Sequence, residues 1–400
     1  MNNFGGVTHH RERIELLDIV RGFALCGIIF ANLMSFTGFY SLDNTQIQLL
    51  PMSDRIVLSL IDWLIEGKFY SVFAMLFGAG FAIIYQKKSD KTKNFNHYWL
   101  KRMSILLLIG ILHMSFIWHG DILILYSLLG MSLLVFIRCT NTQLISIGVA
   151  LLLTPMAIHV IAFLTADNPI WSSFKTLALT FKSYAGFADV ELLAMRTSDD
   201  PFQVFVANIY SAIPRPMSYL ITGRPFQVLG QFLIGIYLIR LFFLSDKPFV
   251  APTQRTTIWL LVIGALLNIQ YAFIKYLTGS PFSLNLLGLY QGLVYHLGAI
   301  VMALGYMAGL YHLFHSNAKP KINWLASLGR MSLTVYLMQT SLCVMLFYGY
   351  GLALMGTVPQ VSIIAFGCTI LLCQTVFATW WFSVKQQGPI EYLWRKSIGN

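Results

Sequence analysis

Runs of about 20 residues with almost no charge recur along this chain, each long enough to cross a lipid bilayer as a helix. They lie at 18–39, 69–86, 100–118, 121–138, 142–164, 226–244, 256–277, 286–312, 331–352 and 360–384. Lipid offers backbone N–H and C=O groups no water, so a spanning segment must satisfy them internally, as a helix does. The expected fold class is all-α: a polytopic integral membrane protein of about 10 transmembrane helices. Composition agrees. Only 11% of residues are charged and 57% are hydrophobic, with mean hydropathy +0.68, whereas a soluble domain carries about 25% charged residues. The expected partner is the lipid bilayer.

The formal charge of +11 has its own pattern. Basic residues cluster beside the apolar runs, as they do where positive charge is retained in the cytosol. With the N-terminus inside, the inner face receives Arg11, Arg13, Arg21, Lys87, Lys88, Lys91, Lys93, Lys101, Arg102 and Arg138. It also receives Arg240, Lys247, Arg255, Lys319, Lys321, Arg330, Lys385, Arg395 and Lys396. Both termini are then cytosolic. The exceptions, outside or near the outer boundary, are Arg55, Lys68, Lys175, Lys182, Arg196, Arg215, Arg224 and Lys275. No nucleic-acid-reading motif accompanies the charge, so nucleic acid is not an expected partner. Cys26, Cys139, Cys343, Cys368 and Cys373 lack metal-ligand spacing and read as small packing residues. No metal site is expected. No cleavable leader is legible before the first run, which is expected to stay as an anchor.

One transmembrane domain over 1–400 accommodates all of this. Within it, 165–225 is expected to be an outer-face interfacial or re-entrant segment. Counting 203–222 as an eleventh span would move Arg240 through Lys396 outside, and Pro214 and Pro216 break that stretch. Phe174, Leu177, Phe181 and Tyr184 form an apolar stripe there. Residues 54–66 read as a second outer surface helix. Residues 386–400 read as a cytosolic amphipathic tail with Ile390, Leu393 and Trp394 on one face. Ala74, Gly78 and Ala82, and again Gly305 and Gly309, sit at spacings that let helices approach closely.

Ionisable groups inside a bilayer are costly and mark candidate chemistry. His113 lies six residues before His119, about 9 Å below a His119-Gly120 turn. Asp121 opens the next helix close by and Tyr126 follows. A buried imidazole beside a carboxylate can serve as a general base; equally, Asp121 suits a helix N-cap and His113 an interhelical bond. His119 reads as an interface residue. Asp18 and Arg21, one turn apart, can pair within the first helix or offer Arg21 to a phosphate. Glu66 and Lys68 can pair with each other or contact a polar substrate. Arg330 and Ser332, at a helix start, can form an anion seat.

In order along the chain, these segments include Arg13, Asp18 and Arg21-Gly22-Phe23-Ala24; Glu66-Gly67-Lys68-Phe69-Tyr70; and Leu76-Phe77-Gly78 with Gly80-Phe81. Leu112-His113 and Gly120-Asp121-Ile122-Leu123 follow, then Gly329-Arg330 with Ser332-Leu333-Thr334 and Tyr336. The series ends with Gly388-Pro389-Ile390-Glu391 and Leu393-Trp394-Arg395. Together they resemble the YeiB-like family of bacterial inner-membrane proteins, over the whole chain. That family is distantly similar to transmembrane acyltransferases of the heparan-α-glucosaminide N-acetyltransferase type and to those that decorate surface sugars, through Leu17-Asp18 and Arg21-Gly22. The resemblance implies acyl-CoA as a cytosolic donor and an acceptor, a small molecule or a lipid or sugar, on the far side. Surface-sugar acyltransferases place a functional His fourteen residues after the Asp, where this chain has Asn32. A neutral amide is no base, so His113, oriented by Asp121, is the expected catalytic pair. Asp18, Arg21, Asn32, Glu66, Lys68, Tyr126, Arg330 and Ser332 are the expected substrate-binding residues. A transporter for a small organic solute, its pathway lined by the same residues, is the alternative.

Overall fold

The computed structural model describes residues 4–89, 94–165, 189–242, 251–279 and 282–399. The stripe Phe174, Leu177, Phe181 and Tyr184 and the charges Lys91, Lys93, Lys175, Lys182 and Lys247 lie outside the described residues.

The described residues form helices and short 3-10 turns without strands. In chain order these are α1 (Phe4–Phe36), α2 (Asn44–Leu49), α3 (Met52–Leu64), α4 (Lys68–Lys88), α5 (Phe95–Phe116), α6 (Leu123–Ser132) and α7 (Asn141–Thr165). There follow α8 (Asp189–Arg196), α9 (Pro201–Ala212), α10 (Arg215–Ile221), α11 (Arg224–Phe242), α12 (Gln254–Thr278) and α13 (Leu286–Phe314). The last are α14 (Lys319–Ile322), α15 (Trp324–Arg330), α16 (Ser332–Phe347), α17 (Ser362–Val384) and α18 (Pro389–Ile398). Among the described residues, 8 helices are long and apolar enough to cross a membrane.

The distribution of polarity identifies the medium. Leu164 is 74% exposed and Leu372 65%, with Phe273, Leu266 and Trp380 also turned outward, while Lys68, Gln231, Asn268, Gln339 and Gln374 are buried. Polar groups gather inside because there they find partners: Gln231 donates to Ser71 at 2.7 Å, and Gln374 donates to the Val335 carbonyl at 2.9 Å. A water-soluble fold has the opposite arrangement. The protein is an all-α, multi-pass membrane protein.

Two expected spans depart from full length. The run 121–138 becomes Leu123–Phe136, a shorter apolar helix whose last turn is 3-10. The run 331–352 is the second arm of a broken pair, α15 and α16, bent by 91°. The break has a tertiary cause, because Glu391 from α18 takes the first amides of α16. The helix expected over 54–66 is α3, separated from α4 by a short break at 65–67.

Close backbone contacts set the helix crossings. A Cβ on Gly22 would lie 2.0 Å from the Leu325 carbonyl oxygen, and one on Gly329 would lie 1.8 Å from that of Asp18. At the α4–α11 crossing, Gly78 faces the Phe232 carbonyl and Gly235 that of Met75 just as closely. Gly305 packs on Leu261, but Gly309 meets nothing within 4 Å, so its spacing does not mark a contact. Cys368 and Cys373 are exposed on α17 and are not the packing residues expected; Cys343 is buried. In α18, Ile390 and Trp394 pack inward, but Leu393 is exposed, so the expected three-residue face is split.

Because the apolar part of α1, from Glu15 on, carries Asp18 near its start and Asn32 about 21 Å further along the axis, we call these two ends of the bundle inner and outer, after the charge distribution.

Candidate functional site: an arginine-lined cavity

A cavity of about 470 Å³ opens at the outer end. Asn32 and Ser35 of α1 face it, as do Glu66, Tyr70 of α4, His119, Arg196 of α8, Arg215 and Tyr219 of α10, Arg224 of α11 and Tyr336 of α16. Glu66 reaches it through a break between α3 and α4. Gly67 there has φ +81°, a left-handed value that disfavours residues with a side chain, and the Tyr295 hydroxyl would lie 2.9 Å from an added Cβ. Across the cavity, Pro214 and Pro216 end α9 and start α10, which sets Arg215 at the first position of a helix.

The charges are unevenly satisfied. Arg196 hydrogen-bonds the Ser211 hydroxyl. Arg215 donates to the Tyr219 hydroxyl at 2.9 Å, and Tyr219 donates onward to the Asp121 carbonyl at 3.4 Å. Arg224 lies over the rings of Tyr70 and Tyr219, at 5.4 and 5.9 Å, and the Nε atoms of Arg215 and Arg224 are buried without hydrogen-bond partners among the described residues. Tyr70 donates to Asn32 Oδ1 at 2.5 Å, which leaves the Asn32 NH2 for an occupant. Glu66 is the lining carboxylate, so the three guanidinium groups outnumber it. The Nδ1 of His119 is buried without a partner among the described residues. Desolvation, then the guanidiniums of Arg196 and Arg215, holds this imidazole well below its ordinary value and keeps it neutral. A neutral ring nitrogen can accept a hydrogen bond from a hydroxyl in the cavity. Beyond this cavity a smaller one, lined by Glu66, Tyr126, Arg224, Gln227 and Gln231, continues into the bundle.

The structure distributes the expected site residues over several places. Asn32 and Glu66 line the main cavity, and Tyr126 lines the smaller one. His113 and Asp121 are bonded, Nδ1 to Oδ2, at 2.8 Å, and each side chain is 1% exposed. Asp121 Oδ1 also accepts the Ile124 amide at 2.8 Å, so the cap and the histidine partner are the same carboxylate. The Nε2 of His113 bonds the Thr340 hydroxyl at 2.8 Å, which occupies both ring nitrogens. The pair fastens α5 and α6 to α16 behind Tyr336, whose ring lies 5.2 Å from that of His113. Its side chains do not line the cavity, whereas His119 does. Lys68 is also withdrawn: its Nζ donates to the Asp62 carbonyl at 2.5 Å, not to Glu66, while Asp62 Oδ1 pairs with Lys275 at 2.8 Å.

The inner end carries the remaining four. Asp18 and Arg21 pair at 2.8 Å within α1. The anion seat expected at Ser332 is filled by the protein's own Glu391. One carboxylate oxygen accepts the Leu333 and Thr334 amides at 2.7 and 3.0 Å, and the other accepts the Thr334 hydroxyl at 2.6 Å. Arg330 stacks over Phe382 at 4.0 Å. Among the described residues no three His, Cys, Asp or Glu side chains are grouped to hold a metal.

Sequence reasoning used Arg196, Arg215 and Arg224 only to test topology, and took His119 for an interface residue. A signal was present: all three arginines are exceptions to the inward bias of positive charge, and Arg215 and Arg224 each precede a proline.

Comparison with known proteins places the chain in context. Residues 238–399 match the family described as "Protein of unknown function (DUF418)". Over 98% of its length the chain is 27% identical to the uncharacterized protein YxaH of Bacillus subtilis, covering 95% of that protein. It is likewise 27% identical to the uncharacterized protein YeiB of Escherichia coli, with 96% of each chain covered. The chain is YeiB-like. No solved structure matches it. The arginines of the outer cavity thus lie in the half of this YeiB-like chain that precedes the matched family region.

Proposed function

We propose that this multi-pass protein is a transmembrane acyltransferase of the bacterial inner membrane, which moves an acyl group from cytosolic acyl-CoA to an acceptor held in the outer cavity. The observation that carries the reading is that one helix, α1, bears the Asp18–Arg21 pair at its inner end and Asn32 on the cavity wall at its outer end. The resemblance to acyltransferases rests on that helix. Arg21 and Arg330 contact the donor's phosphates, while Asn32, Glu66 and the cavity arginines orient the acceptor. His119 accepts the acceptor's hydroxyl proton as its oxygen attacks the thioester carbonyl; the C–O bond forms, the C–S bond breaks and the released thiolate takes up a proton.

The test uses purified protein in sealed proteoliposomes with acyl-labelled acetyl-CoA on the inner side and candidate acceptors on the other. CoA release coupled to label transfer, and loss of both in His119→Ala with His113→Gln less affected, is the expected result. No CoA release with any acceptor, or equal rates in wild type and His119→Ala, overturns it.

Transport of a small organic solute is the second reading. It is favoured by the smaller polar cavity that continues inward from Glu66 towards Gln231. Acceptor flux without CoA consumption is its signature.

A further inference from the structure

We propose that the outer cavity selects a molecule carrying a phosphate ester, anchored by Arg224 and Arg215; this names the acceptor class and rests on the acceptor-site reading above. Arg224 and Arg215 have buried Nε–H groups with no hydrogen-bond acceptor among the described residues. Leaving a guanidinium N–H unpaired away from water is costly, and a phosphate meets it with a forked pair of short bonds. Neighbouring groups fix the direction of each fork. Tyr70 and Tyr219 lie under Arg224, and Tyr219 also takes a terminal nitrogen of Arg215, so the two cations share one aromatic platform.

Glu66 decides what else the ligand carries. Its carboxylate has no hydrogen-bond or ion-pair partner among the described residues. A carboxylate accepts hydrogen bonds and repels anions, so it suits the hydroxyls of the same molecule rather than its phosphate. The Asn32 NH2 supplies a donor for the same body. A cavity of about 470 Å³ lies within the range that takes small organic ligands, roughly 300–1,000 Å³. The class is a hydroxylated phosphate ester, either a free sugar phosphate or the phosphodiester headgroup of an anionic lipid.

Calorimetry on the full-length protein in phosphatidylcholine nanodiscs, with glucose 6-phosphate against glucose, tests the inference. Glucose 6-phosphate is expected to bind at least about tenfold tighter than glucose, the worth of one charge-assisted contact. Arg224→Gln removes that preference, Arg224→Lys restores part of it, and Glu66→Gln tightens the phosphate further by removing a like charge. The gain in Glu66→Gln separates lost recognition from lost folding. Displacement of glucose 6-phosphate by phosphatidylglycerol in the nanodisc identifies the lipid as the source; no displacement identifies the soluble ester, and either outcome supports the phosphate class. Equal affinity for the two sugars, or an unchanged preference in Arg224→Gln, overturns it. Phosphate selectivity without CoA consumption defeats acyl transfer and leaves this inference standing. Acyl transfer to glucose but not to glucose 6-phosphate does the reverse.

Discussion

The two ends of the bundle use the same residue types to opposite effect. At the inner end three arginines have partners within the protein: Arg21 has Asp18, Arg330 has the Phe382 face, and Arg102 has the Trp394 ring at 3.8 Å. Glu391 has a complete set of donors at the start of α16. At the outer end, Arg224 and Glu66 line one cavity, yet neither has a hydrogen-bond partner for its charged group among the described residues. Interior charges without partners are unfavourable in a fold selected for stability alone. The contrast teaches that satisfied charges mark assembly and unsatisfied ones mark recognition.

The largest effect expected from this division falls on rate. His119→Ala lowers turnover by about 10²–10⁴-fold, the usual contribution of a general base, with the melting temperature nearly unchanged; a normal rate in a folded variant breaks the outer half of the comparison. Next comes Glu391→Ala, which strands the α16 amides and costs about 3 kcal/mol of stability. Denaturant titration in detergent reads this loss, and the ligand affinity of the surviving folded fraction should match wild type. Gly329→Ala places a methyl group against the Asp18 carbonyl and costs about 1–3 kcal/mol, read as a lower melting temperature with unaltered ligand selectivity.

The smallest effect is in pH. The His119 imidazole is held below its ordinary value when folded, so below about pH 6.5 the unfolded chain takes up a proton that the native state refuses. Stability from this residue is present above that pH and declines as pH falls, by at most about 1.4 kcal/mol per unit. Melting curves between pH 7 and 5 should be flatter in His119→Asn; parallel curves place the ring in water.

What was legible in the sequence follows the range of the interactions involved. Eight long helices could be read from their apolar runs because lipid makes each run sufficient by itself. The break at Met331 could not, since its cause is Glu391, some sixty residues away in the chain. At the outer site, Glu66 stood out as a charged group at a helix start, and Asn32 through the resemblance to surface-sugar acyltransferases. The choice between His113 and His119 did not, because six residues of spacing cannot say which ring faces a cavity and which is enclosed by Asp121 and Thr340. The arginines were hidden by the charge rule itself, which treats outward positive residues as noise. Of those exceptions, Arg55 lies over the Tyr276 ring and Lys68 and Lys275 converge on Asp62, so each described one has a local reason.

The facing glycines on α1 and α15 have a mechanical consequence. Where two main chains touch with no side chain between them, nothing soft can absorb a sliding displacement, but a rotation about the point of touch changes no distance there. Gly22 and Gly329 therefore fix the separation of the first helix and α15 at one point, while the side chains on either side of it set the angle at which they cross.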